Sequence, residues 1–431
     1  MGGKSLLMGQ TLLCTANPFG AAPRDAFVHN RNGAVLIENG IIAAVGNSSE
    51  LLHKHRNANV HNHSGCLLLP GFIDPHVHYP QTAVIASWGE RLLEWLSLHT
   101  FPEEMKFCEQ DYASKIAELY FDIALKNGTT TACSFCTVHP ESVEAFFRSA
   151  KNRGLRAAAG KVCMDRNAPS GLLDDARRGY EESRHLLKRW HGRGRLSYVI
   201  TPRFAVTSSR GQLEALGDLW REFPDCLMQT HIAEQPEEIA EVARLFPESL
   251  DYLDVYDSCG LLGSRGLYGH AIHLSTRERD RLKEFGAALI HCPTSNAFIG
   301  SGLFDLRQRM REGQKLGLAT DTAGGSSFSM LRTMASAYEI GQLNGSAIHP
   351  GQLIWLATEG NARVLGMERQ IGSLRVGNEA DILVLDLLST EAIAQRAGRA
   401  DDIWEELFPT IMMGDDRAVK SVWVSGNKVV G

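Results

Sequence analysis

Two hydrophobic periods divide the chain. Near both termini apolar and polar residues alternate over short stretches, whereas the long middle interleaves brief continuous apolar runs with segments whose apolar residues fall three and four apart. Alternation marks half-buried strands. Ala34 to Glu38, then Asn39-Gly40, then Ile41 to Val45 predict a hairpin, because Asn-Gly supplies the turn that twisted strands need. The stretch running to Cys14 reads as another strand, and Ala380 to Leu385, Val419 to Val424 and Lys428 to Val430 repeat the pattern, with Gly426-Asn427 as a turn. Residues 1–68 and 372–431 are therefore expected to form one small β-sandwich domain.

In the middle, strand-like runs are expected to begin near Leu69, Thr129, Leu155, Leu196, Leu227, Gly266, Ala287 and Leu316. Helical faces separate them, as in Val143, Phe146, Phe147 and Ala150, or Leu213, Leu216, Leu219 and Trp220. Eight such units predict a (β/α)8 TIM barrel over residues 69–371, within an α/β fold class. That architecture gathers reactive residues at the C-terminal ends of its strands.

Composition narrows the classes of function. With 44% hydrophobic residues and 22% charged, the chain is too apolar to stay disordered. A formal net charge of −6 without a basic cluster argues against nucleic acid as a partner. No apolar run approaches the roughly 20 residues of a membrane span, and Leu6 breaks the myristoylation pattern at the start. Nine scattered cysteines, an odd number, point to reduced thiols and a cytoplasmic setting. Cys133 and Cys136 have the Cys-x-x-Cys spacing but no second pair, so they read as packing residues.

The chemistry lies at the predicted strand ends. His76 and His78 are two apart on a strand and so project to one side. Strand five ends at His231, strand six at His270 and strand eight at Asp321. His76, His78, His231 and Asp321 make a shell of three nitrogens and one oxygen that suits a hydrolytic Zn2+ or Fe2+ with a position left for water. Glu234, three residues beyond His231, can exchange protons with such a water. His270 is assigned to hydrogen-bond the activated hydroxide, and His139, His273 and His291 receive no role. The fourth strand ends in Thr201-Pro202-Arg203-Phe204, without a lysine to bridge two metals, so one ion per subunit is expected; Lys161 reads as a charged rim residue.

The segment Pro70 to His78, with His231, His270 and Asp321, resembles the amidohydrolase superfamily. Further stretches are similar to its guanine-deaminating branch: His78-Tyr79-Pro80-Gln81-Thr82, Trp88 to Leu96, Ala159 to Asn167, Thr201 to Phe204, His291 to Asn296, Thr320 to Gly325 and Gly414 to Arg417. The resemblance implies zinc-dependent hydrolysis of guanine to xanthine and ammonia by a homodimer. It also implies that Gln81, Arg203 and Phe204 recognise the purine edge, that His231 and Asp321 face substrate as well as metal, and that Trp88 stacks on the ring. Pro75, Val206 and Ala319 depart from the pattern without removing a ligand or proton carrier. The alternatives are a deaminase of a related purine, pterin or triazine ring, or a barrel that serves only as a scaffold.

Overall fold

The computed structural model describes residues 3–89 and 91–431. Glu90, inside the Trp88 to Leu96 segment, and Met1-Gly2 at the start of the myristoylation pattern lie outside the described residues. The chain divides into two compact units, one running to Asp74 and including 122–131 and 329–431, the other comprising 75–121 and 132–328.

The first unit carries one mixed sheet of seven strands, in the order Asn427–Val430, Val419–Val424, Ile382–Leu385, Asn59–Pro70, Lys4–Cys14, Phe27–Glu38 and Ile41–Asn47. Chain ends thus meet in a single sheet. The predicted hairpin is present, with Asn39 and Gly40 at φ 53° and 79°, the left-handed pair that a two-residue turn requires. Leu7, Val35, Leu68, Ile382, Val384 and Trp423 pack together on one face of the sheet.

The barrel strands are Phe72–Val77, Thr129–Phe135, Arg156–Gly160, Leu196–Pro202, Leu227–Ile232, Gly266–His270, Ala288–His291 and Lys315–Leu318, adjacent in that order. Seven begin within a residue of the sequence expectation. The first begins later, because Leu67 to Leu69 belong to the sheet of the first unit, where Ile382 pairs with Pro70 and Leu385 with Leu67. One apolar run therefore holds two strands, divided at Gly71.

Helices Pro140–Asn152 and Arg210–Glu222 bury the faces that their periodicity marks: Val143, Phe146, Phe147 and Ala150, and Leu213, Leu216, Leu219 and Trp220. Each large apolar side chain so buried contributes about 1.5–3 kcal/mol. Ser209 caps the second helix by accepting from the Gln212 N–H at 3.2 Å. Among the described residues no helix is long and apolar enough to cross a membrane.

Gly160 ends the third barrel strand where no side chain fits, since a Cβ there would lie 1.7 Å from the Val199 carbonyl oxygen. Gly160→Ala is accordingly expected to push strands three and four apart and to lower the unfolding free energy by about 1–3 kcal/mol, read from a denaturant titration.

Candidate active site

The ends of strands one, five, six and eight converge. Strand one presents His76 and His78 on the same side, and the chain leaving strand eight is bonded to it by Asp321 N–H to His76 O (3.1 Å) and His78 N–H to Thr322 O (2.5 Å). That pairing sets Asp321 Oδ1 3.4 Å from His76 Nε2 and 3.5 Å from His78 Nε2. From strand five, His231 brings its Nε2 to 3.1 Å from that of His78. The His231 ring is oriented by its Nδ1, which donates to the Arg203 carbonyl at 2.7 Å and so leaves Nε2 as a lone pair facing the cluster. Gly269 makes room for this arrangement, because a Cβ there would stand 2.6 Å from His76 Cε1.

All of these side chains are buried. Burial holds His78 and His231 well below the ordinary imidazole range, keeping them neutral and available as ligands. Burial alone would raise the Asp321 carboxyl, but the imidazoles of His76, His270 and His78 hold it well below the usual carboxylate range. One atom each of His76, His78 and His231 lies within 4.8 Å of the others, and a second such group joins His76, Asp321, His270 and Cys292. Buried neutral imidazoles around an ionised carboxylate fit a divalent transition metal, and the two groups share His76, while Asp321 stands against both His76 and His78, so they form one cluster.

Glu234 follows directly. Burial, reinforced by Glu238 and Asp321, pushes its carboxyl up to about 7, although His270 and Ser301 oppose the shift. The Ser301 hydroxyl donates to Glu234 Oε1 at 2.8 Å. His270 Nε2 stands 3.4 Å from Glu234 Oε2 and 3.7 Å from Asp321 Oδ2, and its Nδ1 donates to Asn296 Oδ1 at 2.9 Å. Burial disfavours an imidazolium there, but Glu234 and Asp321 outweigh it and raise the His270 pKa, which favours a charged ring paired with both carboxylates. Ala233, His270, Ala271 and Asp321 all have φ between 48° and 65°. Such left-handed turns at residues with a Cβ cost about 1–3 kcal/mol each and are concentrated where function fixes the backbone.

A cavity opens on this cluster, lined by His78, Gln81, Arg203, Phe204, Glu234 and Asp321 together with apolar Leu92, Trp95, Leu96 and Ile299. Of the residues named from the sequence, Trp88 stands apart: its side chain is 78% exposed and is not among those lining the cavity, where Trp95 is the tryptophan instead. Sequence reasoning missed Asn296, Ser301 and His273, whose Nε2 bonds the Ser301 carbonyl at 2.8 Å. Asn296 closes the His291 to Asn296 stretch and Ser301 lies between Gly300 and Gly302, but nothing in either setting marks them as supports. His291, without a role in the sequence reading, is buried and stacks on Phe304 with ring centroids 4.7 Å apart.

Lys161 departs from its expectation as a rim residue. Its side chain is fully buried, bonded to Asp174 and 3.5 Å from Glu182, because strand three is followed by a loop and helix that fold these carboxylates over it. Cys133 and Cys136 are buried free thiols, consistent with packing.

The amidohydrolase family profile matches residues 67–429, and the chain belongs to that family. Guanine deaminase of Escherichia coli (strain K12) is 41% identical over 399 residues, which make up 92% of this chain and 91% of that protein. A solved structure of E. coli guanine deaminase superposes with a TM-score of 0.96 at 39% identity, covering 99% of both chains. A crystal structure of guanine deaminase from C. acetobutylicum with guanine bound in its active site superposes with a TM-score of 0.89 at 28% identity, covering 99% of this chain and 100% of that one.

Removing one partner of a buried ion pair strands the other. Lys161→Ala is expected to lower the unfolding free energy by about 3–5 kcal/mol, measured by chemical denaturation. A change below about 1 kcal/mol would show that the pair is not structural.

Proposed function

We propose that the chain acts as a guanine deaminase, hydrolysing guanine to xanthine and ammonia. The observation that carries this reading is a single cavity in which a metal-ligand cluster and a proton-carrying glutamate face Gln81 and Arg203. The 41% identity to a guanine deaminase over most of both chains supports the choice of substrate. His76, His78, His231 and Asp321 would hold one Zn2+ per subunit; Fe2+ accepts the same nitrogen and carboxylate donors. Bound there, the metal would lower the pKa of water and supply a nucleophile near neutral pH.

The chain's own groups supply the rest. As water attacks the amino-bearing carbon of guanine, Glu234 takes its proton and passes it to the adjacent ring nitrogen, so that the ring accepts electrons without becoming a bare anion. Its pKa of about 7 allows it both to take and to give that proton at neutral pH. Asp321, a weaker base, takes the second proton of the attacking water and hands it to the amine. The C–N bond then breaks, ammonia leaves, and the oxygen stays as the xanthine carbonyl. His270 steadies both carboxylates. Gln81, Arg203 and the Phe204 backbone hold the purine edge, while Leu92, Trp95, Leu96 and Ile299 exclude water from the ring. With this reading go a role in purine catabolism, the homodimer that the family resemblance implies and the cytoplasmic setting that the scattered cysteines suggest.

Glu234→Gln is expected to reduce kcat by about 10²–10⁴-fold while elemental analysis finds the metal unchanged. Loss of the metal in that variant would instead make Glu234 a ligand. Exhaustive chelation should abolish conversion of guanine, followed by its ultraviolet change and by ammonia release, and added Zn2+ should restore it. Full activity of the metal-free protein would overturn the mechanism.

A further inference from the structure

Gln81 and Arg203 are gripped from behind by one carboxylate. Glu104, 1% exposed at the end of the short helix Phe101–Glu104, accepts from Gln81 Nε2 at Oε1 (2.9 Å) and from Arg203 Nη1 at Oε2 (2.7 Å). Its neighbour Glu103 is engaged elsewhere, with Lys106 and the Tyr112 hydroxyl. Phe101 adds to the grip, with its ring centroid 5.5 Å from the Arg203 guanidinium carbon. The proton transfers described above make no use of Glu104.

Its geometry nevertheless fixes what the cavity can read. An ionised carboxylate only accepts, whereas a primary amide has one donating end and one accepting end. With Nε2 committed to Glu104, the remaining end of Gln81 is the acceptor Oε1. Arg203 has no acceptor at all, and one Nη1 bond to Glu104 leaves the rest of its donors for other partners. Two side chains bound to the two oxygens of one carboxylate are necessarily adjacent. Both line the cavity, so its wall presents a hydrogen-bond acceptor beside a fork of donors.

We propose that Glu104 is a positioning residue that locks this polarity and thereby selects a ring lactam, an N–H beside a C=O, over the reversed edge of a 6-amino ring. The inference rests on the guanine deaminase reading, since guanine carries such an edge and its isostere 2,6-diaminopurine carries the opposite one. Turned against the locked wall, the 6-amino group would face the Arg203 donors and the unprotonated ring nitrogen would face Gln81 Oε1. Neither pair could bond. A site built to hydrogen-bond one polarity rejects its opposite more strongly than a merely apolar pocket could.

The test compares kcat/KM for guanine and for 2,6-diaminopurine in the wild-type holoenzyme and in Glu104→Gln, with products separated by chromatography. Wild type should prefer guanine by about 10³-fold or more. In the variant an amide stands at position 104, and one of its ends must turn donors toward Gln81 or Arg203, freeing the Gln81 amide to rotate. The preference should narrow at least about tenfold, with the loss on guanine falling on KM more than on kcat. Equal losses on both substrates, which a purely structural role would give, would overturn the proposal, as would a wild-type preference below about tenfold. Absence of guanine turnover by the wild type would overturn the deaminase reading itself. Metal content and melting temperature report whether the variant is folded; if it is not, Glu104→Asp, which keeps the charge but withdraws it by one methylene, is expected to narrow the preference in the same direction, and an unchanged preference there would refute the role.

Discussion

The site depends on how the barrel closes. Where the chain leaves strand eight it meets the end of strand one, and two backbone hydrogen bonds, Asp321 N–H to His76 O and His78 N–H to Thr322 O, fasten the two ends together. Because alternate residues of a strand share a side, the same bonds that close the ring set the Asp321 carboxylate against both imidazoles of the His-x-His pair. Strands five and six then run side by side, with His231 opposite Gly269 and Ile232 opposite His270, which carries the remaining two imidazoles to the same rim. Gly269 leaves the space that His76 occupies.

Closure also controls the electrostatics. Two buried carboxylates on either side of His270 are tuned in opposite directions by their neighbours. Asp321 is surrounded by imidazoles and stays ionised. Burial lifts Glu234, which faces one imidazole but also Glu238 and Asp321, to about 7, which suits the proton-carrying role proposed for it. His270 lies between them, within ion-pair distance of both. Such a cluster is costly to take out of water, and its members offset that cost by bonding one another and the backbone. Substituting one of them therefore disturbs the protonation of the others.

Recognition comes from a different layer. Residues 92–104 supply the apolar cover of the cavity through Leu92, Trp95 and Leu96, and they also supply Phe101 and Glu104, which hold Gln81 and Arg203 at the cavity wall. The shape of the cavity and the proposed hydrogen-bond polarity thus depend on one short stretch of helical turns, separate from the strands that build the histidine–carboxylate cluster. With that division, the proposed ring specificity can vary without touching the histidine–carboxylate cluster.

Much of this was legible in the sequence, for identifiable reasons. Hydrophobic period reports local geometry, so seven of the eight strand starts, the Asn39-Gly40 hairpin and the buried faces of the helices at 140–152 and 210–222 could be read directly. The His-x-His pair and the strand-end positions of His231, His270 and Asp321 could be read because a parallel barrel sends every strand end to one rim. Three features could not. The division of the run at Gly71 depends on which sheet Leu67 to Leu69 pair with; the burial of Lys161 depends on carboxylates brought from a later loop and helix; and the exchange of Trp88 for Trp95 at the cavity depends on how a helical segment turns. Glu104 and Ser301 belong with these, since a carboxylate or hydroxyl has no sequence signature for the partner it will meet across the fold. The sequence by itself determined the elements, their order and the reactive groups at their ends, because those follow from short-range periodicity. Tertiary structure alone decided which buried polar atoms face one another, because that is settled by packing between segments far apart in the chain.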